Sequence, residues 1–114
     1  MSGLWVMVAG PYSAGAADSE AKAANLRALN EVAVAVFERG HLPIIGVNLA
    51  LPIIEAAGPG RYERIMMSVS LALAERCDAV LRIGGPSDGA DEEVARFRRR
   101  GLPVYQAIDE VPPG

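Results

Sequence analysis

The chain has 114 residues, 51 % of them hydrophobic, and a formal net charge of −3. That length fits one domain with a modest core, and the charge argues against a general nucleic-acid binder, which needs a basic face. A single cysteine (Cys77) and a single histidine (His41) exclude an internal disulfide and a Cys/His metal cluster, and make a Ser-His-Asp triad hard to build.

Leu4 to Ala9 is a short continuous apolar run ending in Gly10-Pro11. It reads as a strand covered on both faces, as in a parallel sheet. After a loop over 10–17, a helix is expected from Asp18 or Ser19 to Arg39. Leu26, Leu29, Ala33 and Val36 recur at helical spacing in it, and Gly40 is a good stop. Residues 42–47 read as a second strand, with Pro43 near its start, where a missing donor is best tolerated. A short helix over 48–57 closes at Gly58-Pro59-Gly60. A further helix spans about 61–76, apolar nearly all round, which predicts burial on two sides and a second copy of the chain on one of them. Residues 79–83 form a third strand, 84–89 a Gly/Pro loop, 90–100 a helix stopped by Gly101, and 102–105 a fourth strand. The tail over 110–114 reads as frayed.

Strands and helices alternate throughout. The expected fold is a single-domain α/β three-layer sandwich over residues 1–114, with a four- to five-stranded parallel sheet of flavodoxin- or Rossmann-like type. Ligands in such sheets sit outside the carboxyl ends of the strands, near the reversal of strand order. Three segments fall there: 10–15, 46–48 and 84–93. No apolar stretch has membrane-spanning length and the start lacks a signal-peptide pattern, so a cytoplasmic location is expected.

Gly10-Pro11-Tyr12-Ser13-Ala14-Gly15 has the Gly-x4-Gly spacing of a phosphate loop, but Ala16 and Ala17 stand where an ATPase loop needs Lys and Ser/Thr. It is either a plain turn or a loop whose N–H groups approach an anion or a sugar. Ser87, Asp88 and Gly89 precede the last helix. They either cap it or offer a hydroxyl and N–H groups to a phosphate. Helical spacing separates Glu92 from Glu93. Ala90, Glu93, Val94 and Phe97 share one face, which turns Glu93 to the apolar side, whereas Glu92 shares a solvated face with Arg96 and Arg99. Both glutamates are expected in the helix's first turn. There they either complement the helix dipole, or, at position 93, supply a carboxylate that stays ionised and can attack an anomeric carbon. Arg96 to Arg100 read as a solvated helix end, His41 as structural, and Cys77 as a buried structural thiol.

Val8-Ala9-Gly10-Pro11-Tyr12-Ser13, Glu75-Arg76-Cys77-Asp78-Ala79-Val80-Leu81, and Ser87-Asp88-Gly89-Ala90-Asp91-Glu92-Glu93 followed by Gly101-Leu102-Pro103-Val104 resemble the nucleoside 2-deoxyribosyltransferase-like superfamily. That superfamily includes the deoxynucleoside 5′-monophosphate N-glycosidases. The likeness covers most of the chain, in order and spacing. It implies a small parallel α/β fold and cleavage of an N-glycosidic bond, with Glu93 as nucleophile. It further implies that Pro86-Ser87-Asp88-Gly89 holds a 5′-phosphate and that Gly10, Pro11, Tyr12 and Ser13 line the sugar and base pocket. Ser70 stands where the family usually has an aspartate that orients the sugar or handles the leaving base. Serine can hydrogen-bond a sugar hydroxyl but is a poor proton donor. Asn48, at the expected end of the second strand, is the candidate base reader. The expected partner is a small nucleoside or nucleotide, with no nucleic acid, membrane, metal or organic cofactor. Sites in this family are often completed by a neighbouring subunit, in keeping with a homodimer or larger homo-oligomer through helix 61–76. The rival reading is a binder of nucleotides or phosphorylated sugars without turnover.

Overall fold

The computed structural model describes residues 3–114. Four strands, β1 (Trp5–Ala9), β2 (Leu42–Ile44), β3 (Ala79–Arg82) and β4 (Val104–Tyr105), form one sheet in the order β2-β1-β3-β4. Every pair is parallel, as the unbroken apolar runs predict. β1 and β3 are central, and Val6 to Ala9 and Ala79 to Leu81 are buried. Four helices complete the sandwich: α1 (Ser19–Glu38), α2 (Gly46–Ala57), α3 (Tyr62–Ala74) and α4 (Asp88–Arg99). Short 3-10 turns occupy Pro59–Arg61 and Ile108–Glu110.

The core lies in two layers, one on each side of the sheet. Met7, Ala9 and Val80 pack with Ala74 of α3 and Ala90, Val94 and Phe97 of α4. Val6, Val8 and Leu81 pack with Leu29 and Val36 of α1 and with Val111. Alternate residues of β1 therefore feed opposite layers, as period-2 geometry requires.

Three expectations need correction. The second strand stops at Ile44, because Gly46 opens α2 instead of extending the sheet. A Cβ at Gly46 would lie 2.4 Å from Ser70 Oγ and 3.2 Å from Ser70 Cα. This glycine thus lets α2 start directly against α3. Gly46→Ala should destabilise the fold by about 1–3 kcal/mol through overpacking. Adding Ser70→Ala should recover part of that loss, measured by denaturant melts of the single and double variants.

The tail is also not frayed. Val111 is fully buried, Arg39 Nη1 donates to Val111 O at 2.7 Å, and Gly114 N–H donates to Arg39 O at 2.6 Å. His41, buried beneath it, uses both ring nitrogens. Leu4 N–H donates to Nδ1 at 2.9 Å, so Nε2 carries the proton and donates to Pro112 O at 2.5 Å. His41→Ala should cost about 2–4 kcal/mol in urea unfolding, since it strands two backbone groups and empties a filled site.

The helix expected at 61–76 spans Tyr62–Ala74 and lies against both α2 and α4. The large apolar side chains left exposed stand elsewhere: Trp5, Val34, Phe37, Leu42, Leu49 and Ile53. Finally, α4 starts two residues earlier than the pattern suggested, with Ser87 as its N-cap. Among the described residues no helix is long and apolar enough to cross a membrane.

Candidate functional site

The chain leaves β1 towards β2 on one side and later returns through β3 on the other, so strand order reverses between β1 and β3. The two loops that follow these strands must diverge there and leave a crevice. A Cβ on Gly10 would lie 2.8 Å from Ile83 O, so glycine is what lets the two strand ends meet at the crevice floor. Asn25 of α1 donates from Nδ2 to Tyr12 O at 2.7 Å and fixes the first loop.

The crevice opens into a cavity of about 400 Å3, within the range of small-molecule sites, roughly 300–1,000 Å3. Gly10, Tyr12, Ser13 and Ala14 form one wall, and Val47 of α2 closes a corner. A second wall is one stripe of α3: Tyr62, Glu63, Met66, Met67 and Ser70, at helical spacing. Ser87, Asp88, Gly89 and the first turns of α4 through Glu92 and Glu93 form the third.

Eight of the ten residues singled out from the sequence meet here: Gly10, Tyr12, Ser13, Ser70, Ser87, Asp88, Gly89 and Glu93. Two do not. Pro11 packs beneath the next loop, its Cδ 2.8 Å from where a Cβ of Gly84 would stand. Asn48 is not at a strand end but in the first turn of α2. It is exposed there and donates from Nδ2 to Asn30 Oδ1 of α1 at 2.8 Å, outside the cavity. The early start of α2 turned it away. The α3 stripe of Tyr62, Glu63, Met66 and Met67 was missed, because in the sequence it looks like ordinary core spacing.

Ser87 Oγ accepts Ala90 N–H at 3.2 Å. Its acceptor side therefore caps α4, and its proton remains free to donate. The N–H groups of Asp88 and Gly89, in the first turn, have no partner within the helix. Arg82, at the end of β3, lies behind this loop and lines a separate hollow. Its Nε meets Asp91 Oδ1 at 3.2 Å, Nη2 donates to Gly85 O at 2.9 Å, and Nη1 donates to Ile83 O. The guanidinium thus laces the loop to α4.

Glu93 is 8 % exposed. The buried face of α4 is Ala90, Glu93, Val94 and Phe97, the set helical spacing selects. Among the described residues its carboxyl has no hydrogen-bond or ion-pair partner. Burial pushes its pKa up to about 8, with Arg82 pulling weakly the other way. The expectation that it stays ionised is therefore corrected. With Asp88 as first residue of α4, Glu93 sits in the second turn, beyond the free N–H groups whose dipole was to offset desolvation.

Tyr62 Oη is buried and has no hydrogen-bond partner among the described residues. Burial raises its pKa above 10, while the nearby Ser13 side chain, short of hydrogen-bonding geometry, lowers it a little. Cys77 is buried and its thiol is pushed up to about 11, chiefly by burial, which suits a structural thiol. Asp78 is structural too. Its Oδ2 accepts Trp5 N–H at 2.8 Å, and its own N–H donates to Trp5 O at 2.8 Å, which clamps the start of β1. Arg96 pairs with Glu75 at 3.3 Å, not with Glu92. Among the described residues no three His, Cys, Asp or Glu side chains converge as metal ligands do.

A family model described as a domain of unknown function, DUF1937, matches residues 5–108. The chain belongs to the DUF1937 family. The match runs from the start of β1 past β4, so this DUF1937 domain includes every wall of the cavity. No curated protein matches it.

Proposed function

We propose that this DUF1937 domain cleaves the N-glycosidic bond of a nucleoside or nucleoside 5′-monophosphate, with Glu93 as nucleophile. One observation carries the reading: a carboxyl nine-tenths buried and without a protein partner lines a nucleoside-sized cavity at the sheet's switch point. The carboxyl oxygens are not sealed inside the protein but open on the cavity, where C1′ of a bound sugar can meet them. The ionised oxygen attacks C1′, the base departs with the bonding electrons, and water or a second base then releases the sugar. Ser13, Ser70 and Ser87 are hydroxyls placed to hold sugar oxygens. The resemblance noted in the sequence supports the same assignment.

The domain should release free base from members of a panel of ribo- and deoxyribonucleosides and their 5′-monophosphates, followed by chromatography. Release should fall by about 10^3-fold or more in Glu93→Gln, the scale expected when a covalent nucleophile is lost. Equal release by that variant, or none from any substrate by the parent, would remove the assignment.

The second reading, a binder without turnover, is favoured by one fact. At neutral pH a carboxyl with a pKa of about 8 is mostly protonated, and a protonated acid is a poor nucleophile but a good hydrogen-bond donor. Thermal stabilisation by nucleotides with no base release is its signature.

A further inference from the structure

Charge is unevenly placed around the cavity. Four carboxyl side chains line it (Glu63, Asp88, Glu92 and Glu93), whereas no Arg, Lys or His among the described residues does. Glu63, Asp88 and Glu92 are exposed and stand at the rim, and Glu93 is the buried, partnerless one. Two cations stand close by without lining the cavity. Arg82 faces the other hollow and is tied to Asp91 and two loop carbonyls. Lys22 lies 6.0 Å from the ring centroid of Tyr62, where it caps that ring. The carboxyls do not converge as metal ligands, so what answers them is a diffuse or organic charge.

A doubly charged phosphate fits poorly. Its seat at the start of α4 has the Asp88 carboxylate on the first helical residue and Glu92 one turn on, and no guanidinium or ammonium lines the cavity to offset them. The walls between the charges are soft and polarisable: Met66, Met67 and the Tyr12 ring. Thioethers and aromatic faces receive a flat, electron-poor ring well. The leaving group meets a further limit. A neutral purine or pyrimidine leaves easily only when a proton reaches it. Glu93 cannot give one while it attacks as a carboxylate, and burial leaves the Tyr62 phenol a weaker acid than usual.

Resting on the cleavage reading above, we propose that the substrate is a nucleoside whose base carries a positive charge and whose 5′ end carries none: an N-alkylated purine nucleoside or a pyridinium nucleoside. The Glu93 oxygen bonds to C1′ as the C1′–N bond breaks. The bonding pair passes to the ring nitrogen and cancels its charge, so the base departs neutral with no proton supplied. Water then adds at C1′, its proton passes to solvent, and Glu93 is freed as the carboxylate. The three rim carboxylates favour the cation on entry, and its charge disappears from the site as the bond breaks.

The test must separate recognition from the intrinsic fragility of such glycosides, so it reads binding as well as turnover. Glu93→Gln is titrated by calorimetry at low salt with 7-methylguanosine, guanosine, 7-methylguanosine 5′-monophosphate and nicotinamide riboside, and with the 2′-deoxy forms of the purines. The two cationic nucleosides should bind about tenfold more tightly than guanosine. The advantage should shrink as salt rises and vanish in Glu93→Gln carrying Glu63→Gln, Asp88→Asn and Glu92→Gln, three exposed positions. The parent domain should release 7-methylguanine or nicotinamide. Guanosine binding as tightly as its methylated form, or the monophosphate binding more tightly than the nucleoside, overturns the charge inference. If the parent still releases base from neutral substrates, the cleavage reading survives that result. No release from any arm overturns both.

Discussion

Glu93→Gln should make the domain more stable, and increasingly so as pH rises. The carboxyl has a pKa of about 8 folded against 4.5 for its ordinary value. The folded chain therefore holds a proton that the unfolded chain has released throughout that window. Stability falls wherever the native state binds more protons than the unfolded state. The contribution of Glu93 is fully present below about pH 4.5 and is lost progressively as pH climbs to 8. At about 1.4 kcal/mol per pKa unit, the loss is on the order of 4 kcal/mol. Glutamine cannot ionise, so the variant escapes it. Near pH 5 parent and variant should melt within a few degrees of each other. Near pH 8.5 the variant should be ahead by about 2–4 kcal/mol, or roughly 10 °C or more in Tm for a domain of this size. Calorimetric melts at the two pH values decide it. A variant less stable than the parent at pH 8.5 would mean that the carboxyl has a partner which the buried geometry does not provide. Gaining stability on removal of a carboxyl is the trade expected if, as proposed, that carboxyl serves a site held against its own folding preference.

The dependence of kcat/KM on pH should follow the same group in the opposite sense. If Glu93 attacks as the carboxylate, the active fraction rises tenfold per pH unit below about 8 and levels off above it. Between pH 5 and pH 8 the rate constant should therefore climb by a few hundredfold. Best activity then lies where the fold is weakest, so assays at high pH need a stability control. A profile that falls through pH 8 would reassign Glu93 as a proton donor, and a flat one would remove it from the chemistry. Non-titrating cationic substrates such as nicotinamide riboside keep the profile free of base titration.

Much of the architecture could be read in the chain itself. The apolar runs at β1 and β3 are long enough to be covered on both faces and too short for buried helices, which is why a parallel sheet with its site at the strand ends followed from them. The facing of α4 was equally legible, because 3.6-residue periodicity sends Ala90, Glu93, Val94 and Phe97 to one side whatever surrounds them. The start of α4 turned on a local cap at Ser87, but the other misread boundaries turned on contacts distant in sequence. The missing Cβ of Gly46 lets α2 start against Ser70 of α3, and Asn48 left the site with that shift. The tail holds because Arg39 and His41, some 70 residues earlier, bond its carbonyls.

The sequence by itself determined that Glu93 lies on the apolar face of the helix at the sheet mouth, since local periodicity and caps are set by near neighbours. Only the tertiary structure decided its protonation. The field and dielectric at a carboxyl depend on everything packed around it, and here burial within the cavity outweighs a guanidinium occupied elsewhere. The same holds for the charge of the cavity. Glu63, Asp88 and Glu92 are scattered along the chain as ordinary surface acids, and only the packing of α3 against α4 gathers them round one opening without a cation among them.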